Sequence, residues 1–115
     1  MSKGIKTIIY PVSDFDKAKT LFSALAGRAP DYDQPYYAGW NIEGQDLGLD
    51  PNGHKQGMTG PVGYWEVDDI KASLQALLEA GAETVQEVRD VGGGKLIATV
   101  KDADGNVVGL SQTPA

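Results

Sequence analysis

Apolar positions along the chain fall into two runs that repeat one pattern. Ile5-Lys6-Thr7-Ile8-Ile9-Tyr10 is β-branched and nearly continuous, which predicts a strand covered on both faces and ended by Pro11. Ser13 is placed to cap a helix with Asp16 in its first turn, and Phe15, Ala18, Leu21, Phe22 and Leu25 recur along one helical face until Gly27 stops it. Arg28 to Gln34 is polar and reads as a loop, whereas Tyr36 to Ile42 is aromatic enough for a strand. A turn at Glu43-Gly44-Gln45 leads to a short strand at Leu47-Gly48-Leu49, which ends in the turn residues Asp50-Pro51-Asn52-Gly53. A polar linker carrying His54 then runs to Gly60.

From Pro61 the pattern starts again. Val62 to Val67 predicts a strand, and Asp68-Asp69 caps a helix that buries Ile70, Leu74, Leu77 and Leu78 and stops at Gly81. Strands follow at Thr84 to Val88, Lys95 to Val100 and Val107 to Leu110, separated by turns at Gly92-Gly93-Gly94 and Asp104-Gly105-Asn106. Val12-Ser13-Asp14-Phe15 aligns with Val67-Asp68-Asp69-Ile70, Ala26-Gly27 with Ala80-Gly81, and Leu47-Gly48-Leu49-Asp50 with Val108-Gly109-Leu110-Ser111. The chain is therefore read as α+β: two copies of strand, helix and two or three strands, with the helices on one face of a mostly antiparallel sheet.

With 115 residues there is room for one shared core, so residues 1–115 are read as a single domain, with module 1 at about 4–53 and module 2 at about 60–113. No apolar run approaches the roughly 20 residues of a membrane helix, and no secretory segment follows Met1, so a cytoplasmic protein without membrane contact is expected. The absence of cysteine agrees with that compartment. A net charge of −6, with the ten basic residues scattered singly, opposes nucleic-acid binding and leaves small molecules or further copies of the chain as partners.

The tandem βαβββ order, with Val12-Ser13-Asp14-Phe15-Asp16-Lys17-Ala18, Val67-Asp68-Asp69-Ile70, Ala80-Gly81-Ala82 and Asp102-Ala103-Asp104-Gly105-Asn106 at their places, resembles the vicinal-oxygen-chelate superfamily. This is the group of glyoxalases, bleomycin resistance proteins and extradiol dioxygenases. The resemblance implies that the two modules form a curved, mixed sheet, a cup with the helices outside, and that the protein is a homodimer. In metal-dependent members, one ligand lies on the first and one on the last strand of each module. Those positions correspond here to Thr7, Gly48, Val62 and Gly109. Glycine and valine offer no side-chain donor, and a lone threonine hydroxyl is a poor ligand for a transition metal, so no metal and no cofactor are expected.

The remaining chemistry is sparse. His54, the sole histidine, lies in a Gly-rich loop and reads as solvent-facing. Asp102, Asp104 and Asn106 have the spacing of half a calcium loop, but Val107 stands where the glycine belongs and Thr113 where the closing glutamate belongs, so a hairpin turn is the better reading. One histidine and no cysteine assemble no nucleophilic triad, and no catalytic residue is assigned.

If Thr7 and Val62 point into the cup, strand alternation sends Ile9, Tyr64 and Glu66 there and puts Ile8, Tyr10, Trp65 and Val67 under the helices. Glu66 would be a base of raised pKa, a partner for a cationic ligand, or a strand-end carboxylate reaching water. Tyr36, Tyr37 and Trp40 form the densest aromatic cluster. Thr7, Ile9, Tyr37, Trp40, Tyr64 and Glu66 are accordingly the expected lining for a small aromatic or cationic molecule, bound without metal. The rival expectation is a lyase, isomerase or dioxygenase with an atypical metal site or Glu66 as base. A third is a dimerisation module or a subunit of a larger assembly, which an exposed apolar patch away from the cup would favour.

Overall fold

The computed structural model describes residues 2–114. Its elements are β1 (Ser2–Pro11), α1 (Phe15–Ala26), β2 (Tyr32–Gln34), β3 (Tyr37–Ile42), β4 (Gln45–Asp50), a 3-10 turn (Gly53–Gln56), β5 (Val62–Val67), α2 (Ile70–Glu79), β6 (Glu83–Asp90), β7 (Leu96–Lys101) and β8 (Val107–Gln112). The architecture is α+β, with parallel and antiparallel strand pairs in a mixed sheet. Contacts divide the described residues into two compact units, residues 7–62 and residues 2–6 with 63–114.

In the unit formed by residues 7–62 the strand order is β2-β3-β4-β1. β4 pairs antiparallel with β3 and parallel with β1, a reversal that the crossover through α1 makes possible. Helix α1 is capped by Asp14 rather than Ser13. Asp14 has extended backbone and its carboxylate accepts the Lys17 N–H at 3.1 Å, so the cap falls one residue later than expected. Gly27 ends the helix in the left-handed region (φ 79°), where a side chain would be strained. Phe15, Ala18, Phe22 and Ala26 pack on Ala38, Trp40 and Leu49, with Tyr10 and Leu47 beside them. Leu21 and Leu25, expected on this stripe, are 61% and 76% exposed, because at 100° per residue they fall to one side of the line through residues 15, 18, 22 and 26. The segment expected as a loop contains the short strand β2, paired with β3.

In the other unit the order is β5-β8-β7-β6, with β5 and β8 parallel and the remaining pairs antiparallel. Asp69 caps α2 by accepting the Ala72 N–H, and Ile70 and Leu74 bury against Val67, Ala98, Val100 and Leu110, with Leu77 and Leu78 at the margin. The Gln112 side-chain oxygen accepts the Ile70 N–H at 2.7 Å, tying the end of β8 to the helix N-terminus, where N–H groups lack intrahelical partners. β1 is longer than its apolar run, and Ile5 and Ile8 are 41% and 37% exposed, so the expectation of a strand covered on both faces is not met. No helix among the described residues is long and apolar enough to cross a membrane.

Candidate functional site

Strand register fixes which side chains share the face away from each helix. In the unit of residues 7–62 the cross-strand rows on that face are Gln34–Tyr37, Tyr32–Gly39–Gly48–Ile9 and Asn41–Asp46–Thr7. Thr7, Ile9 and Tyr37 of the expected lining are thus on one surface, with Thr7 buried. Trp40 is not on it. The residue pairs with Leu47, lies 2% exposed in the α1 core, and donates its indole N–H to the Arg28 carbonyl at 3.0 Å. Alternation from Tyr37 requires this, since residues three apart on a strand face opposite ways.

The glycines of the middle row have a steric reason. Tyr37 lies along the row, so a Cβ built on Gly39 would be 3.1 Å from its Cε2, and one on Gly48 would be 2.8 Å from its Cε1 and closer still to its hydroxyl. Tyr32 stands at the outer end, with its ring centroid 6.2 Å from Tyr37 and 6.3 Å from Tyr36 and its hydroxyl bonded to that of Tyr36. That bond, and to a lesser degree desolvation, holds the Tyr32 pKa above its ordinary value, so the phenol stays protonated at neutral pH. At the other margin Asn41 donates its side-chain amide to Asp46 at 2.8 Å.

The second unit repeats the device. Tyr64 pairs in parallel with Gly109, and a Cβ on Gly109 would lie 2.6 Å from the Tyr64 Cγ. On the same face Glu66 pairs with Ser111, and both are buried. The Glu66 carboxylate accepts the Ser111 hydroxyl at 2.9 Å, the Thr113 N–H at 2.9 Å and the Thr113 hydroxyl. Burial is the largest influence on its pKa and pushes it up, but the Thr113 hydroxyl and N–H, the Ser111 hydroxyl and the Lys95 charge together outweigh it and leave the carboxyl below its ordinary range. The expectation of a raised pKa is corrected on that ground, and so is that of a strand-end carboxylate reaching water.

Of the four positions that the family resemblance matches to metal ligands, Gly48 and Gly109 are the last-strand pair, and at each a tyrosine ring fills the space in which a side chain would begin. Val62 supplies no donor, and Thr7 only a buried hydroxyl. Among the described residues, no three His, Cys, Asp or Glu side chains converge. This donor set does not fit a transition metal. His54 is exposed in the 3-10 turn, and Asp102 folds inward, accepting the N–H groups of Asp104 and Asn106 and the Asn106 side-chain amide.

Sequence reasoning missed Tyr32, Ser111 and Thr113. Ser111 was reachable from Gly109 by alternation, but its pairing with Glu66 depends on the parallel register of β5 and β8.

No curated protein sequence matches the chain. Solved structures share the fold: a Streptomyces coelicolor methylmalonyl-CoA epimerase in complex with 2-nitronate-propionyl-CoA (TM-score 0.76, 16% identity, 100% of both chains covered) is one. Another is methylmalonyl-CoA epimerase from Mycobacterium tuberculosis (0.72, 18%, 99% of this chain and 90% of that one). A third is a glyoxalase/bleomycin resistance protein/dioxygenase superfamily member from Vibrio splendidus (0.71, 17%, 98% and 100%). The family model for the Glyoxalase/Bleomycin resistance protein/Dioxygenase superfamily matches residues 4–110, nearly the whole chain, and the protein belongs to that superfamily.

Proposed function

We propose that this protein binds a small aromatic or cationic organic molecule on the tyrosine-bearing faces of its strands, by stacking and burial and without a metal. The observation that carries the reading is the close approach of the Tyr37 ring to Gly48 and of the Tyr64 ring to Gly109, which puts aromatic surface at positions that the family resemblance matches to metal ligands. Aromatic walls with a few fixed polar groups are what small-molecule sites usually offer, and Glu66, Asn41 and Asp46 supply such groups. Glu66 is a weak candidate for a base, since three donors hold it in the ionised form and its pKa is lowered. The same reading takes the protein as a cytoplasmic homodimer, for which light scattering should give twice the mass of one chain.

The test is elemental analysis of purified protein, followed by thermal melts with Ni²⁺, Zn²⁺, Mn²⁺ and Fe²⁺ and then with aromatic cations. Binding to the native state alone raises apparent stability, so a ligand should reveal itself as a saturable rise in melting temperature. The expected result is no stoichiometric metal, no metal-induced rise, and a saturable rise with an aromatic cation. Metal near one per chain, or a saturable rise with any of the four ions, overturns the reading.

A further inference from the structure

Tyr32, Tyr36 and Tyr37 were not placed together by sequence, since Tyr32 fell in an expected loop, and their arrangement has a chemistry of its own. The Tyr32 ring makes angles of 69° with Tyr36 and 58° with Tyr37, so it is steeply inclined to both neighbours rather than stacked on either. Tyr32 and Tyr36 are 46% and 57% exposed, which leaves aromatic surface open to a solute. The hydroxyl bond between them fixes the two outer walls, and Tyr37 is braced along Gly39 and Gly48. Two cations of the same unit are held by carboxylates: Arg28 pairs with Asp31 at 2.9 Å, while Lys19 pairs with Asp33 at 3.3 Å and lies 4.5 Å from the Phe15 ring centroid. Asp46 adds a carboxylate on the same face, one row over and two strands from Tyr32, and the chain as a whole carries −6.

We propose that Tyr32, Tyr36 and Tyr37 form an aromatic cage for a quaternary or methylated ammonium group. The negative faces of aromatic rings attract a cation within about 6 Å of their centroids, and methylated ammonium suits such walls because it is weakly hydrated and presents methyl groups to them. An ordinary ammonium keeps its water more tightly and is the poorer guest. The assignment rests on the metal-independent reading above and adds to it the charge type of the guest and the place where that charge sits.

The experiment titrates choline chloride into protein carrying ring-labelled tyrosine and follows the ring resonances by NMR, with 3,3-dimethylbutan-1-ol as the neutral molecule of the same shape. Saturable shifts at Tyr32, Tyr36 and Tyr37 with choline, and much smaller ones with the alcohol, are expected. Tyr32→Leu should weaken choline about fivefold, while Tyr32→Phe, which keeps the ring and loses only the bond to Tyr36, should weaken it less. Tyr32 is half-exposed, so both variants should keep the native amide spectrum. Absence of a saturable choline shift, equal response to the alcohol, or unchanged affinity in Tyr32→Leu each overturns the cage. Any of these can occur while an aromatic ligand still binds metal-free protein at Tyr37 or Tyr64, so failure of the cage is distinguishable from failure of the wider reading.

Discussion

The ring of Tyr64 occupies the space into which a side chain at Gly109, its partner on the neighbouring parallel strand, would project. Gly109 does not have positive φ, so its backbone conformation is open to any residue and only the ring excludes one. Glycine here serves packing rather than a turn. Tyr37 and Gly48 stand in the same steric relation in the other repeat, on a diagonal rather than a direct pair.

Gly109→Ala should therefore destabilise the fold by about 1–3 kcal/mol, the usual cost of overpacking, although alanine at a compatible backbone position ordinarily stabilises by a few tenths to about 1 kcal/mol. Combining Gly109→Ala with Tyr64→Ala should cost less than the sum of the two, since the second change removes the ring the new methyl meets. Urea denaturation of the four proteins measures the coupling. Additive losses would mean that the ring does not set the glycine.

The face that Trp40 occupies yields a second expectation. Trp40→Ala should cost about 3–5 kcal/mol as a buried aromatic lost from the core, and Trp40→Phe about 1–2 kcal/mol, with the Arg28 carbonyl losing its donor. Because the indole packs under α1, Trp40→Phe should leave the choline response of the tyrosine rings unchanged. A large loss of response would place Trp40 in the binding face.

How much the sequence disclosed depended on whether a feature was periodic or relational. Helix α2 was fully legible, because Ile70, Leu74, Leu77 and Leu78 lie on one stripe and Asp69 caps it. In α1 the apolar residues exceed what the core takes, and counting them admitted Leu21 and Leu25, whose angle puts them outside. Trp40 was grouped with Tyr37 by proximity along the chain, although strand alternation already separates them. Glu66 was found, but its partners Ser111, in β8, and Thr113, just beyond it, lie 45 and 47 residues away and require the register. β2 was illegible because its three residues are all exposed and only Tyr32 among them is apolar, too little for a pattern.

The α1 finding is directly measurable. Leu25→Ala and Leu21→Ala should each change monomer stability by no more than about 0.5 kcal/mol, as exposed substitutions do, while Phe22→Ala, which removes a half-buried ring, should cost about 2–3 kcal/mol. Chemical denaturation at a protein concentration where the chain is monomeric separates these cases. If either leucine costs more than about 2 kcal/mol there, α1 is seated on a different stripe.

Glu66 makes the fold acid-sensitive in a defined direction. Its carboxyl titrates below the ordinary value of 4.5 in the folded protein, since donors from Thr113 and Ser111 favour the ionised form despite burial. Folding therefore gains from ionised Glu66 fully above that ordinary value, and the gain is lost as pH falls through the lower folded value. Glu66→Gln removes the charge and should flatten stability against pH across that acid window, while lowering it at pH 7 by about 1.5–3 kcal/mol as hydrogen bonds to a charged acceptor are replaced by weaker ones. Denaturant midpoints of wild type and variant, compared at pH 7 and at steps down through the carboxylate range, read both effects. The two proteins should converge as the medium becomes acidic. A difference that stays constant from neutral to acid pH would mean that Glu66 acts through packing alone, and one that widens would mean that its proton is held more tightly in the folded state.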